Sequence, residues 1–182
     1  RRVLFRSGKD PINLTLSGYA DSSPKWIMNG NGMLWFTDRD GMRSHGSWGA
    51  KRDAYAMFFN QEYFEKFTMT KEEYQAKYDK KKDDKDKPKE DETKKKKEKV
   101  AETKKEEKKV EINLKNIEDR LARLTINSSN LGDAVLTEDG ENLFYLSRFE
   151  KGYDLWLNKI KENETKLVLK LNGRGGQLKM DE

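Results

Sequence analysis

The chain has 182 residues, 39% of them charged and 34% hydrophobic, with no cysteine. That length suits one domain of ordinary size, and the missing Cys excludes disulfides, thiolate zinc sites and a Cys nucleophile. No apolar run approaches the ~18 residues of a membrane-crossing helix, and the net charge of +5 is no nucleic-acid footprint, because it sits outside the regions that read as folded.

Residues 1–7, RRVLFRS, read as the in-frame translation of a common sequencing-adapter oligonucleotide. They are set aside as an artefact that carries three Arg. On that reading the biological N terminus is missing. INLTLSG, residues 12–18, is expected to be the last strand of an earlier unit.

The next stretch, WIMNGNGMLWFTDR from Trp26 to Arg39, reads as a β-hairpin, with Asn31-Gly32 supplying the turn. Asp38 and Asp40 follow in DRDG. They lack the distal Glu of a calcium loop and are expected to shape a turn, since short carboxylates accept backbone N–H bonds. GNGMLW begins like a dinucleotide-binding loop, but Trp35 stands where the third Gly belongs and a strand follows, so a phosphate loop is excluded. The loop MRSHGSWGAKR, Met42 to Arg52, holds the chain's one His. No acid or nucleophile stands beside His45 in a recognisable pattern. Catalytic residues, metal ligands and cofactors are therefore not assigned. His45, Trp48, Arg43 and Arg52 are the candidates for a substrate-channel or rim contact, because long loops on rigid scaffolds carry binding groups.

DAYAMFF, residues 53–59, is a third strand. Residues 60–109 form an insertion. Its first part, NQEYFEKFTMTKEEYQAKYDKK, reads as helix, with a capping box at Thr70 and Glu73 and with Tyr74 and Tyr78 on one face. Residues 79–109 hold 15 Lys and 11 Asp or Glu. Such a tract cannot bury enough apolar surface to offset chain entropy, and disorder or frayed helix is expected. The closing strand of this unit falls in residues 110–127, with RLARLT at its heart.

A second unit spans 128–173. AVLTEDGENLFYLSR turns at Asp139-Gly140 and matches the first hairpin if Asn31-Gly32 is set on Asp139-Gly140 with one inserted residue. YDLWLNKI and TKLVLKL supply its third and fourth strands, and residues 174–182 read as the start of a further unit. LTLSG, LTINSS and LKLNG mark three equivalent strand ends. Four antiparallel strands per ~45 residues is the arithmetic of a propeller blade. The expectation is all-β: a partial β-propeller of about two four-stranded antiparallel blades, with a helical and then disordered charged insertion. Two blades cannot close a ring, so the natural protein is expected to be longer at both ends. Trp26, Trp35 and Trp156 are expected to pack between blades, and Arg39 and Arg148, at matching places, to pair with loop acids.

SPKWIMNGNGMLWFTDRDG resembles the blade signature of TolB-like propellers. The longer run from Gly18 to Phe67, the Lys/Glu tract behind it, IEDRLARLTINSSNLGDAVLTEDGENLFYLSRFEKGYDLW and KLNGRGG together resemble the N-terminal propeller region of tricorn-protease homologues from Bacteroidota-type bacteria. The resemblance covers nearly all of residues 8–182. It implies a parent protein that joins propellers to a PDZ-like domain and a tail-specific serine peptidase domain, with the catalytic residues in that last domain. None of its catalytic motifs matches a position here. The implied role is a non-catalytic segment that gates or orients peptide or unfolded-protein substrates, beside neighbouring blades and the peptidase domain, with room for a homo-oligomer. A periplasmic or envelope location is implied, with the cytoplasm as the alternative. A TolB-like binding or scaffold propeller without an enzyme is the runner-up, and a prolyl-oligopeptidase-type propeller the third reading.

Overall fold

The computed structural model describes residues 12–47, 49–78 and 110–180. The adapter-like residues 1–7, Trp48 and the charged tract 79–109 lie outside them. Ten elements follow one another: β1 (Ser22–Ile27), β2 (Gly32–Thr37), β3 (Asp53–Phe58), α1 (Gln61–Thr68), α2 (Lys71–Tyr78), β4 (Leu121–Arg123), β5 (Asn130–Leu136), β6 (Asn142–Arg148), β7 (Tyr153–Lys159) and β8 (Glu164–Gly173). The strands form two four-stranded antiparallel sheets, each in sequence order: β1-β2-β3-β4 and β5-β6-β7-β8. Ile12 to Gly18 makes bends rather than the expected strand. The Asn13 side chain accepts from the amides of Thr15 (3.3 Å) and Leu16 (3.2 Å), which a ladder would otherwise claim.

The two sheets are copies, but the matching dipeptide is not the expected one. Ile27 pairs with Gly32, and Thr137 donates to the Asn142 carbonyl at 2.9 Å. Met28–Asn31 and Glu138–Glu141 are thus equivalent turns of equal length. The positive-φ glycines are Gly30 (86°) and Gly140 (77°). Asn29-Gly30, not Asn31-Gly32, is the partner of Asp139-Gly140, and no inserted residue is needed. The amides that follow the third strands agree. Phe59 donates to the Asn31 carbonyl at 2.9 Å, and Ile160 to the Glu141 carbonyl at 2.8 Å. Gly32 is a strand residue, required because a Cβ there would lie 2.8 Å from the Met57 carbonyl oxygen.

This register fixes how the sheets stack. Trp35 opposite Tyr55 corresponds to Tyr145 opposite Trp156. In the first sheet Leu34, Phe36, Ala54, Ala56 and Phe58 face the second, and Leu136, Leu143 and Tyr145 of the second share that core. The equivalents of those second-sheet residues in the first sheet, Trp26, Met33 and Trp35, belong to its opposite face. There Trp35, Met57, Phe59 and Ile117 form a smaller cluster with Leu14, Met33, Tyr55 and Leu121. Each sheet thus turns one face forward and the other back. Leu136 is 5% exposed, whereas its counterpart Trp26 is 61% exposed. The three tryptophans expected at matching places lie on a first, a second and a third strand. Trp35 is buried, Trp156 packs against the core, and Trp26 lies open. Beyond the second sheet, Leu167, Val168, Leu169 and Leu171 of β8 are exposed.

The insertion between β3 and β4 begins as two helices rather than one. Asn60 caps α1, its side chain accepting from the Glu62 amide at 2.8 Å. Thr70 and Glu73 form the expected capping box reciprocally, at 3.2 and 2.9 Å, and so start α2 afresh. Phe67 and Phe64 stack on Phe58 at 4.7 and 5.7 Å between ring centroids. Lys161, after β7, donates to the carbonyls of Lys66 (2.9 Å), Phe67 (2.6 Å) and Met69 (2.6 Å). A cation at a helix C terminus satisfies orphan carbonyls and meets the negative dipole end.

Candidate functional site

The chain leaves β2 at Thr37 and re-enters the sheet at Asp53 through the loop singled out by sequence. Its walls pair with each other. Arg43 bridges to Ala50, Lys51 donates to the Met42 carbonyl (3.1 Å) and Ser44 to the Gly49 carbonyl (3.1 Å). Gly41 permits the closure, since a Cβ there would stand 1.7 Å from the Lys51 carbonyl oxygen.

At the root of this loop six side chains gather from three segments. The Arg39 guanidinium lies 5.5 Å from the Tyr19 ring centroid and 5.8 Å from that of Tyr55. Arg43 lies 5.3 Å from the Tyr19 ring and reaches the Asp38 carboxylate at 3.3 Å. Asp38 also accepts from the Ala20 amide at 2.8 Å, which fastens Tyr19 beside the loop. The Tyr55 hydroxyl donates to Asp40. Burial first, and then this bond, push the Tyr55 phenol up to about 12.

The sequence candidates divide here. Arg43 belongs to the cluster. His45 sits in an exposed turn at the loop tip. Arg52 lies away from the cluster: its backbone exchanges hydrogen bonds with Ser129 (2.8 and 3.0 Å), and its guanidinium reaches the Ser22 hydroxyl at 3.2 Å. Asp38 and Asp40 were expected to accept backbone N–H bonds within a turn; instead Asp38 accepts from the distant Ala20 amide and from Arg43, and Asp40 from the Tyr55 hydroxyl. Arg39 pairs with rings rather than with a loop acid, and Arg148 likewise stands 5.6 Å from the Tyr153 ring. Tyr19 was not legible as a site residue, because only the fold brings it to the loop.

Among the described residues no group of three or more His, Asp or Glu could hold a metal ion, and no helix is long and apolar enough to cross a membrane. The cluster offers cations on aromatic faces, suited to binding. Comparison with protein-family models, curated proteins and solved structures found no match.

Proposed function

We propose that the chain is a non-catalytic β-propeller segment of a tricorn-like serine peptidase, placed to gate or orient peptide substrates for a C-terminal peptidase domain. The observation that carries the propeller part is the stacking register: the back face of the second sheet packs on the forward face of the first. One such step, repeated, curls four-stranded sheets around a common axis with their first strands innermost. The open face at Trp26 and the exposed leucines of β8 are the surfaces that further sheets would cover. The peptidase part rests on the resemblance carried by the residue 18–67 run, the charged insertion and KLNGRGG. In this reading the segment meets neighbouring blades, the peptidase domain and peptide or unfolded-protein substrates in the cell envelope.

The test is the coding DNA on either side, together with an assay of its product. Further four-strand repeats, then a PDZ-like module and a serine peptidase domain, are expected. The full protein should cleave an unfolded protein and residues 8–182 alone should not. A stop codon directly after the propeller would overturn the peptidase reading and leave the scaffold one. A Gly-x-Ser-x-Gly elbow would point to a prolyl-oligopeptidase-type enzyme instead.

A further inference from the structure

Two Asn-Gly pairs stand side by side in NGNG, each asparagine with a glycine behind it, so the local sequence does not tell them apart. The fold does. Asn29 is exposed, its backbone is left-handed (φ 53°), and its carboxamide makes no hydrogen bond among the described residues. Gly30 behind it has no side chain to shield its backbone nitrogen from that carboxamide. Asn31 is pinned instead. Its Nδ2 donates to the Met28 carbonyl at 2.9 Å, and its own carbonyl accepts from the Phe59 amide at 2.9 Å. Gly32 is buried and pairs with both Ile27 and Phe58. A peptide unit inside a ladder cannot turn to meet the preceding side chain without breaking its hydrogen bonds.

The turn also touches both ends of the insertion. A Cβ on Gly30 would lie 3.1 Å from the Val110 side chain, where the chain returns. A Cβ on Gly140 would lie 3.2 Å from Met28 and 3.3 Å from Phe67 of α1. Met28 and Phe67 share one buried cluster.

From this geometry we infer that Asn29-Gly30 is a site of spontaneous covalent modification that loosens the return of the insertion, whereas Asn31-Gly32 is inert while the sheet is folded. Hydroxide takes the Gly30 amide proton, and the nitrogen forms a bond to Asn29 Cγ. The Cγ–Nδ2 bond breaks, and Nδ2 takes a proton from water and leaves as ammonia, which restores the hydroxide. Water then opens the succinimide at either carbonyl, giving aspartate or β-linked isoaspartate at position 29. The aspartate form is the dipeptide that the second sheet uses in its equivalent turn, Asp139-Gly140, and it should be tolerated. The isoaspartate form adds a backbone atom to a tight turn and moves Gly30 off Val110.

The test ages the whole 182-residue chain in mildly alkaline buffer, folded and in urea. Each asparagine is read by peptide mapping, with fragmentation that separates aspartate from isoaspartate. In the folded chain Asn29 should convert at least about tenfold faster than Asn31, and faster still as the pH rises. In urea the two rates should come together. Asn29→Gln, which would need a larger ring, should not convert at position 29 and should leave Asn31 as slow as before. The Asn113 amide, which donates to the Phe59 carbonyl at 3.1 Å, reports on the return of the insertion. Its hydrogen exchange should speed up in the isoaspartate fraction and stay unchanged in Asn29→Asp. Comparable rates at Asn29 and Asn31 in the folded chain, a gap between them that persists in urea, or equal exchange at Asn113 in isoaspartate and fresh chains would each overturn the inference.

Discussion

Asp53 and Asp154 do the same task one sheet apart. Each stands in the first two residues of the third strand of its sheet and holds the end of the fourth. Asp53 accepts from Arg123 (2.8 Å), Thr125 (2.8 Å) and Ser128 (2.7 Å). Asp154 accepts from the amides of Leu171 (2.8 Å) and Asn172 (2.9 Å). The two carboxylates differ in burial, Asp53 being fully buried and Asp154 half-buried.

Asp53→Ala should therefore be the costlier change. It strands Arg123 and two hydroxyls, and a loss of about 2–4 kcal/mol is expected. Asp154→Ala should cost about 1–2 kcal/mol, because water can reach the freed amides. Urea denaturation of the two variants checks the order. Equal losses would show that the two carboxylates are not graded by burial.

Lys161→Met removes the cation from the end of α1. About 1–2 kcal/mol should be lost, and hydrogen exchange should speed up across Gln61–Thr68 while β6 stays protected. Burial pushes the Lys161 ammonium below the ordinary lysine value. Below that lowered value the folded and unfolded states bind the same proton. Between it and the ordinary value the unfolded chain binds more, so this group makes stability rise with pH across that window. Lys161→Met should flatten the rise.

Gly41→Ala places a methyl group against the Lys51 carbonyl and must open the loop. A cost of about 1–3 kcal/mol or more is expected. Gly18→Ala meets nothing within 4 Å and should be close to neutral. Thermal melts of the pair decide whether the loop closure is as tight as its geometry.

Much of this architecture could be read from sequence, and the misreadings have physical causes. Alternating apolar positions and Asn-Gly or Asp-Gly turns located both hairpins. NGNG, however, contains two Asn-Gly pairs. The pairing of Ile27 with Gly32, the positive φ of Gly30 and the cross-strand bonds of Asn31 and Glu141 show that the first pair makes the turn. A shift of one residue exchanges the two faces of a strand, so the sequence alignment matched Trp35 to Phe144 when its true counterpart is Tyr145. The loop root was half legible. Arg43 and the acids lie in one short run, but Tyr19 and Tyr55 reach them only when the sheet forms. Arg39 was assigned an acid as partner because charge is visible in a sequence and ring placement is not.

Tyr55 supplies an alkaline signature. Its folded value near 12 stands above the ordinary 10.0. The stability it contributes is whole below pH 10 and is lost as the pH climbs toward 12, since the unfolded chain releases the proton first. Ultraviolet titration should show a tyrosinate that ionises late. Tyr55→Phe should remove it and weaken the alkaline fall in stability.

Trp26 reports on what lies beyond the first sheet. In the 182-residue chain it should be oxidised readily, while Trp35, 5% exposed, is spared. In a longer protein that carries a preceding sheet, Trp26 should be protected like its counterpart Leu136. Mass spectrometry after mild tryptophan oxidation reads both states. Equal reactivity of Trp26 in the short and long proteins would mean that no sheet covers this face.

The bond from Lys161 to the Lys66 carbonyl joins residues 95 positions apart. During synthesis, α1 leaves the ribosome long before its capping cation does. The charged tract, β4 and three strands of the second sheet must be made before that cap is in reach. The helical pair can pack on β3 through Phe64 and Phe67 early, but the cap on the end of α1 arrives only when the turn after β7 has been made. A pause in translation before Lys161 would leave the carbonyls of Lys66, Phe67 and Met69 without their cation for as long as the pause lasts.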